Sequence, residues 1–190
     1  YPTSIQLALI PLFRKKLIKL KNITIDSKSG YSGAGKNFKK KFTHKNIDNS
    51  VIAYGIKKHR HMSELDQEFN KNTKSNVEYI FNPHVVPTFR GLLSSIYLDL
   101  NDQSNIMKIY KELKNFHKKN RFVRVLKLNK SIGTGNVIDS NFCEISVCET
   151  RKKNRIVIFS AIDNLIKGGA GQAIQNMNIR FGFKNDEGLI

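Results

Sequence analysis

The chain has 190 residues and a formal net charge of +18, with 33 Lys and Arg against 15 Asp and Glu. This length is enough to bury one large core, so we expect a single domain spanning residues 1–190. The sequence contains no apolar run of the roughly 20 residues that a membrane-spanning helix needs, and no signal peptide, so we expect a soluble, cytoplasmic protein without a membrane partner.

The positive charge is the feature that favours a nucleic-acid-binding module, because Lys and Arg side chains neutralise phosphates. However, Lys far outnumbers Arg, and the charge is spread along the chain. The densest run, Lys36 to Lys45, is most simply a solvated loop, and the other reading is an electrostatic patch for an anionic cofactor or nucleic acid. We therefore expect no nucleic-acid partner, and keep the basic binding module as an alternative.

Apolar periodicity and turn-forming residues predict the elements in chain order. An amphipathic helix is predicted over Thr3 to Leu20, and a short strand at Ile23 to Ile25 leads into a small-residue loop that ends at Gly35. Further strands are predicted at Val51 to Ile56, Val77 to Phe81, Arg90 to Leu100, Phe122 to Leu128, Phe142 to Cys148 and Arg155 to Ile162. Further helices are predicted at Met62 to Asn70, Ser104 to Lys119 and Leu165 to Asn178, with Met177 in the core.

Strands outnumber helices in this pattern, and short turns join several neighbouring strands. The prediction is an α+β fold with a mixed, largely antiparallel sheet and helices on one face. Cys143 and Cys148 lie on one predicted strand at positions of opposite parity, so their side chains should point to opposite faces and not pair. No Cys/His cluster surrounds them, which argues against a metal site and is typical of a reducing compartment.

The motif His59-Arg60-His61, followed by Glu64, places two imidazoles, a fixed cation and a carboxylate within six positions. An imidazole titrates near neutral pH and a guanidinium binds anionic groups bidentately, so the motif fits a site that processes an anion. An equally weighted interpretation is the start of a solvated helix, with Ser63 as its cap and Glu64 beside its positive N-terminus.

The small-residue loop Ser29 to Gly35 has neither the dinucleotide-binding spacing nor the Lys-Ser/Thr ending of a P-loop. A flexible turn is its generic interpretation. Its functional interpretation is a backbone that lets a flat ring or an oxyanion approach closely.

Taken in order, the motifs resemble those of the N-acetyl-gamma-glutamyl-phosphate reductase family over essentially the whole chain. They are Tyr1-Pro2-Thr3, Asp26 to Gly30 with Ser32 to Gly35, Ala53-Tyr54, His59-Arg60-His61 with Glu64, Pro83-His84 with Pro87 and Arg90-Gly91, Ser140-Asn141, Asp163 to Gly168, and Gly171 to Asn178. The resemblance begins one residue after the family's catalytic cysteine, in a Pro-Gly-Cys-Tyr-Pro-Thr motif. It implies a fold similar to the C-terminal domain of the glyceraldehyde-3-phosphate and aspartate-semialdehyde dehydrogenase group.

The resemblance also implies a chemistry, the NADPH-dependent reduction of an acyl phosphate to a semialdehyde in arginine biosynthesis. The cofactor NADP is then bound mainly by an N-terminal domain that these residues lack, and the C-terminal helix, residues 164–178, packs toward that domain. The implied partners are the acyl phosphate, the missing domain and further copies in a dimer or tetramer. Without the cysteine and the nucleotide-binding domain, these residues alone should be inactive.

The resemblance assigns roles to individual residues. His59 matches the catalytic histidine, and the substrate-binding candidates are Tyr54, Arg60, His61, Glu64 and Arg90. For Arg90, a structural ion pair is an almost equally weighted alternative, and His84 is expected to be structural. The candidates for cofactor contact are Ser29, Gly30, Ser32, Gly33, Gly35, Asn164, Lys167, Gly168, Gly171 and Gln172. A solvated side chain is the alternative for Lys167.

Three positions depart from the family pattern, Ser4, Ser63 and Asp139, and of these Asp139 stands where a glycine would permit an unusual φ. Two further readings stay open beside the nucleic-acid module. One is the sister reductase that acts on a carrier-linked aminoadipyl phosphate in lysine biosynthesis, and the other is a unit that serves only for oligomerisation.

Overall fold

The computed structural model describes residues 1–35, 45–46 and 49–189. Most of the basic run from Lys36 to Lys45 therefore lies outside the described residues. The strands are β1 Ile23–Gly30, β2 Ile52–Ala53, β3 Tyr79–Val86, β4 Leu92–Asp99, β5 Val123–Val125, β6 Cys143–Glu149 and β7 Arg155–Ile162. The α-helices are α1 Pro2–Arg14, α2 His61–Thr73, α3 Ile106–His117 and α4 Gly171–Phe181.

The strands form one seven-stranded sheet in the order β2-β3-β1-β4-β7-β6-β5. The pairs β1–β3 and β5–β6 are parallel, and the other four pairs are antiparallel. Burial alternates along β1, where Ile23 and Ile25 are buried while Asp26 and Lys28 on the opposite face are only half-buried. Helices α1, α2 and α3 pack around one face. The predicted α+β fold with a mixed, largely antiparallel sheet is confirmed.

Helix α1 is shorter than predicted, because it ends at Arg14 and not at Leu20. Lys16 adopts a left-handed backbone with φ of 51°, which turns the chain out of the helix. Ile18 then forms an isolated bridge with Leu100 and remains buried. The apolar period continues past Arg14 because these residues still pack on the core, and the period alone therefore misplaced the end of the helix.

Strand β1 is longer than predicted, because Asp26 to Gly30 continue the ladder beside β3 and β4. The predicted loop is instead a strand end followed by one 3₁₀ turn, Tyr31–Ala34. Strand β2 is only two residues long, whereas the prediction extended it from Val51 to Ile56. Strand β7 has the predicted bounds. Among the described residues, no helix is long and apolar enough to cross a membrane.

Three buried serines dock the start of α1 on the sheet. Ser94 Oγ lies 2.8 Å from both Ser4 Oγ and Ser27 Oγ, and all three residues have zero exposure. Ser4 Oγ also donates to the Tyr1 carbonyl at 2.9 Å. Ser4, a departure from the family pattern, thus pairs with Ser94 and fixes the position of Tyr1.

Candidate active-site cleft

A cleft of about 640 Å³ opens where the carboxyl end of β1 meets the segment before α2 and the turn after β7. The described residues that line it include ten of the predicted site residues: Ser29, Gly30, Ser32, Gly33, Tyr54, His59, Arg60, His61, Asn164 and Gly168. Tyr1, Gly55, Lys58 and Leu165 also contribute to the lining. The fold thus brings together residues that lie more than a hundred positions apart in the sequence.

His59 lies at the floor of this cleft, next to the first residue of the chain. Its ring centroid is 5.5 Å from that of Tyr1, 5.2 Å from Tyr54 and 5.3 Å from Phe81, in edge-to-face contacts. Only 9% of His59 is exposed, yet the residue still lines the cleft. The aromatic neighbours therefore restrict the ring, and the residue is still part of the cleft lining.

Hydrogen bonds reach both nitrogens of the His59 ring. Nε2 lies 3.3 Å from the Tyr54 hydroxyl, and Nδ1 accepts the backbone N–H of His61 at 3.3 Å. Burial, followed by nearby positive charge, lowers the pKa of His59 below its ordinary value. The imidazole is consequently neutral at pH 7.

His61 is half-buried beside His59, with ring centroids 4.9 Å apart. Its Nδ1 is buried and has no hydrogen-bond partner within the described residues. Burial lowers the pKa of His61 to about 3, so this ring is also neutral. Ser63 is not the helix cap that its position suggested, because α2 begins at His61 and Ser63 Oγ donates to the Arg60 carbonyl.

The charged groups of the cleft are cationic. Lys58 and Arg60 are exposed and contribute to its lining, and no acidic residue is among the described lining residues. Glu64, predicted to bind substrate, is exposed in the first turn of α2 and does not line the cleft. The arrangement favours an anionic ligand, since two positive groups face it without an acidic competitor in the lining.

Small residues form a further part of the lining, the small-residue rim, which consists of Ser29, Gly30, Ser32, Gly33, Gly168 and Gly169. A Cβ on Gly30 would lie 2.5 Å from the Phe89 carbonyl oxygen, so the chain here requires glycine for a close backbone approach. A Cβ on Gly33 would meet nothing closer than the Asn164 amide at 3.4 Å. This rim fits a flat ring or a phosphate, because its backbone is accessible at close range.

Asn164 joins three segments of the cleft. Its Oδ1 accepts the Gly91 N–H at 2.8 Å, and its Nδ2 donates to Ser32 Oγ at 2.9 Å. It therefore holds the 3₁₀ turn against the segment before β4. Asn164 was predicted as a cofactor contact, and in this structure its amide supports the rim that it also lines.

Four of the predicted cofactor contacts, Gly35, Lys167, Gly171 and Gln172, are not among the lining residues of the cleft. Lys167 is 2% exposed, and its Nζ donates to Gln175 Oε1 at 2.7 Å. Gly171 is buried, and a Cβ there would lie only 2.6 Å from Asn141 Oδ1, so this position has no room for a larger residue. Lys167 is thus neither a solvated lysine nor a group of the cleft, and it helps to seat helix α4.

Arg90 was predicted to bind phosphate or a carboxylate, and the structure instead shows the structural alternative. Its Nη1 lies 2.5 Å from Asp139 Oδ1 and 3.2 Å from Asp163 Oδ2. Arg90 is not among the lining residues of the cleft. Its charge is already neutralised by two carboxylates, so it is not available to an anionic substrate.

Asp163 is the residue that sequence reasoning overlooked. It has zero exposure, and its carboxylate accepts the backbone N–H groups of Asp139, Leu165 and Ile166. Burial opposes ionisation, but these N–H donors and Arg90 hold the pKa of Asp163 below its ordinary value. An Asp followed by a helical pattern is a capping signal, and that signal was present in the sequence.

The two cysteines do not contribute to the cleft. Cys143 is completely buried and Cys148 is half-buried, and both are free thiols. Burial raises the pKa of Cys143 to about 11, so its thiol is not a reactive nucleophile at pH 7.

Comparison with known proteins places this geometry in a family. The family described as "Semialdehyde dehydrogenase, dimerisation domain" matches residues 1–164. N-acetyl-gamma-glutamyl-phosphate reductases from Clostridium kluyveri and Clostridium beijerinckii are 43% and 44% identical over the whole of this chain. A probable chloroplastic enzyme of that name from Arabidopsis thaliana is 40% identical. The chain spans 55% of the length of the two bacterial relatives and 47% of the plant one.

Solved structures share the fold at low sequence identity. Aspartate semialdehyde dehydrogenase II from Vibrio cholerae has a TM-score of 0.67 at 13% identity, covering 93% of this chain and 59% of that one. The aspartate semialdehyde dehydrogenase of Francisella tularensis has a TM-score of 0.69 at 13% identity, covering 93% of this chain and 62% of that one. The resemblance predicted from the motifs is confirmed, and the chain belongs to the semialdehyde dehydrogenase dimerisation-domain family.

Proposed function

We propose that this chain is the substrate-binding and dimerisation part of an NADP-dependent N-acetyl-gamma-glutamyl-phosphate reductase, with His59 as its acid/base residue. The observation that carries the proposal is the position of His59, in a cationic cleft and 5.5 Å from the ring of Tyr1. In the family motif the nucleophilic cysteine directly precedes the residue matched by Tyr1. Consecutive Cα atoms are about 3.8 Å apart, so a cysteine joined to Tyr1 begins beside this cleft.

The proposed reaction needs groups that handle protons and anions. A thiolate attacks the acyl carbon of N-acetylglutamyl 5-phosphate, the bond from that carbon to the phosphate oxygen breaks, and a thioester forms. NADPH, when bound, supplies the hydride for the thioester carbon. The semialdehyde is released when the carbon–sulfur bond breaks and the thiolate returns, and His59 exchanges a proton with the reacting oxygen.

Lys58 and Arg60 have the charge to hold the phosphate and the substrate carboxylate. Both are exposed at the cleft, where a guanidinium binds such groups bidentately and an ammonium binds them as a point charge. Tyr54 and His61 line the same space and complete the proposed substrate set. Glu64 and Arg90 are left out of the set, because neither lines the cleft.

The small-residue rim fits the nicotinamide part of NADP. The residues that would contact it are Ser29, Gly30, Ser32, Gly33, Asn164 and Gly168. These residues bring backbone groups and small side chains close to a flat ring, and they supply no pocket for the rest of a dinucleotide. We therefore infer that a further domain binds most of the cofactor.

Helix α4 provides a surface for such a domain. Met177, predicted to lie in the core, is 47% exposed, and Phe181 on the same side of the helix is 71% exposed. Exposed large apolar side chains at this spacing favour a covering partner. We infer that the chain lying outside these residues covers them. We also infer that the sheet face carrying the exposed Tyr97 and the half-buried Lys28 meets a second copy.

The test uses the full-length reductase that contains this chain. We expect NADPH oxidation only when the acyl phosphate is supplied, and none with the 190-residue chain alone. His59→Gln should lower kcat at least 100-fold, in the range of general acid–base catalysis, with an unchanged melting temperature. Lys57→Ala is the matched control, because Lys57 is an exposed cation two positions away that does not line the cleft.

The outcomes separate the parts of the proposal. Full-length protein that leaves NADPH unoxidised with the N-acetylglutamyl substrate, but oxidises it with a carrier-linked aminoadipyl phosphate, would favour the lysine-pathway reductase. Wild-type turnover in His59→Gln would remove His59 from the mechanism.

A further inference from the structure

A row of polar groups runs from the His59 ring to a backbone carbonyl beneath the cleft. His59 Nε2 lies 3.3 Å from the Tyr54 hydroxyl, which donates to the Tyr1 hydroxyl at 3.3 Å. The Tyr1 hydroxyl in turn donates to the carbonyl oxygen of His84 at 2.8 Å. The row joins β2, the start of α1 and β3, so its end point is fixed by the sheet.

The carbonyl at the end of the row determines which group donates in each of its hydrogen bonds. A carbonyl oxygen only accepts, so the single hydrogen of the Tyr1 hydroxyl is committed to His84. The Tyr1 oxygen then accepts from Tyr54, which commits the single hydrogen of that hydroxyl as well. Toward His59, the Tyr54 oxygen is consequently an acceptor, and Nε2 must carry the proton.

The hydrogen bond at Nδ1 of His59 independently requires the proton to be on Nε2. The backbone N–H of His61 points at Nδ1 from 3.3 Å, and a backbone N–H only donates. Nδ1 must therefore present its lone pair. A proton on Nδ1 would place two N–H groups against each other in a site that is 9% exposed.

We propose that Tyr1 and Tyr54 are positioning residues that hold His59 as the neutral Nε2–H tautomer, with the His84 carbonyl as the anchor of the row. In this resting state His59 offers a hydrogen bond from Nε2–H to a substrate oxygen. The hydrogen bond to Tyr54 is long at 3.3 Å, and a negatively charged substrate oxygen is the stronger acceptor. The inference rests on the proposed function for the role of His59, but the state of the ring is measurable without turnover.

The side chains around the ring support a neutral imidazole. Tyr1, Tyr54 and Phe81 surround it with aromatic edges and faces, while Lys58 and Arg60 bring positive charge to the same cleft. Burial lowers the pKa of His59, and the charge of Arg60 lowers it further. The row of hydroxyls and the His61 N–H together favour one of the two neutral tautomers, a choice that burial alone does not make.

The experiment is long-range ¹H–¹⁵N NMR on the 190-residue chain labelled with ¹⁵N-histidine, with the His59 signals assigned by their loss in His59→Gln. In the wild type at pH 7 we expect a protonated Nε2 and a bare Nδ1. In Tyr1→Phe the Tyr54 hydroxyl loses its acceptor in the row, and His59 Nε2, 3.3 Å away, becomes the acceptor that remains in the row. The tautomer ratio should then move toward Nδ1–H by about fivefold, the ratio that corresponds to one net hydrogen bond of about 1 kcal/mol.

Tyr54→Phe separates the directed row from simple packing. It removes the hydroxyl that could donate to Nε2, so His59 should keep Nε2–H, held by the His61 N–H alone. Tyr110→Phe is the matched control, because Tyr110 lies on α3 outside the cleft, and its spectrum should match the wild type.

A wild-type spectrum with Nδ1–H as the main tautomer would overturn the proposal, and this reading needs no variant to fold. An unchanged tautomer ratio in folded Tyr1→Phe would overturn it equally. Neither result bears on whether the full-length protein reduces an acyl phosphate, so failure here is distinguishable from failure of the proposed function.

Discussion

Arg90 and Asp139 form an ion pair, with Nη1 and Oδ1 2.5 Å apart, across a backbone position where the family pattern suggests glycine. Asp139 has a left-handed φ of 60°, as the departure from glycine implied. Asp tolerates this conformation better than most residues, and its N–H donates to Asp163 Oδ2 at 2.9 Å. Asp139 thus has an ion pair with Arg90 and a backbone hydrogen bond to Asp163 in a conformation that glycine would adopt without strain.

Asp139→Gly should change the free energy of unfolding by less than about 0.5 kcal/mol. It relieves the left-handed backbone but loses an ion pair that is worth little, since the Asp139 side chain is 74% exposed. Asp139→Ala should cost about 1 kcal/mol, because alanine tolerates the left-handed backbone less well than Asp and the ion pair is lost. Urea denaturation of the two variants measures the difference, and equal stabilities would show that the backbone conformation carries no cost.

Asp163→Asn should destabilise the fold by about 3 kcal/mol, because it removes one partner of a buried charged network. The pH dependence has a definite sign, because the folded-state pKa of Asp163 is lowered. Its contribution is complete above about pH 4 and is lost as the pH falls through the folded-state pKa. Denaturation at several pH values should therefore show the gap between variant and wild type closing in acid.

Asp102→Asn is the control for that series, since the Asp102 side chain is 91% exposed and pairs only loosely with Lys19. Its free energy of unfolding should follow the wild type at each pH within about 0.5 kcal/mol. A gap for Asp163→Asn that persists unchanged below pH 2 would contradict the buried carboxylate as its cause.

Most residues of the candidate site could be predicted from the sequence, but few of the residues that hold them in place could. His59, Arg60 and His61 were predicted together because they are adjacent in the sequence. The glycines near Ser29 were predicted because a loop without side chains lets a ligand approach its backbone closely. Arg90 was weighed between substrate and structure, since an arginine looks the same in sequence whether its partner is a ligand or a carboxylate. Only folding brings Asp139 and Asp163 to it.

The row from His59 to His84 was unpredictable for a related reason. Tyr54 follows Ala53, which pairs with His84 in the antiparallel register of β2 and β3, and Tyr1 is placed by the bonds of Ser4 to Ser94 and to the Tyr1 carbonyl. Neither arrangement is visible in one sequence. The prediction that Met177 lies in the core was wrong for a different reason. Its place on the apolar side of a helix suggested a core position, but no described element covers that side, and Met177 is 47% exposed.

Lys167→Met should change how stability depends on pH. Burial lowers the pKa of Lys167 to about 8, whereas an unfolded lysine titrates near 10.4. Between these values the unfolded chain holds a proton that the folded chain has released, so the wild type gains stability as the pH rises. We expect a gain on the order of 2 kcal/mol between pH 8 and 10, relative to Lys167→Met.

The measurement is the difference in free energy of unfolding between wild type and variant across that range. Lys57→Met, at an exposed position, should give a difference that is flat with pH. A flat difference for Lys167→Met as well would mean that the buried ammonium finds more compensation than its bond to Gln175 provides.

Gly30→Ala and Gly33→Ala form a matched pair that separates support of the cleft from space within it. A Cβ at Gly30 would meet the backbone of Phe89 and Thr88 at 2.5 to 2.8 Å, and backbone atoms cannot yield without displacing the segment before β4. We expect Gly30→Ala to cost roughly 2 kcal/mol, in the range of overpacked sites, and to lower kcat/KM in the proposed full-length reductase. At Gly33 the nearest atom is the Asn164 amide at 3.4 Å, an ordinary contact, so the fold should tolerate alanine within about 0.5 kcal/mol. If Gly33→Ala nonetheless raises KM for NADPH, the added methyl group occupies space that the cofactor uses, whereas unchanged kinetics would place the nicotinamide away from this rim.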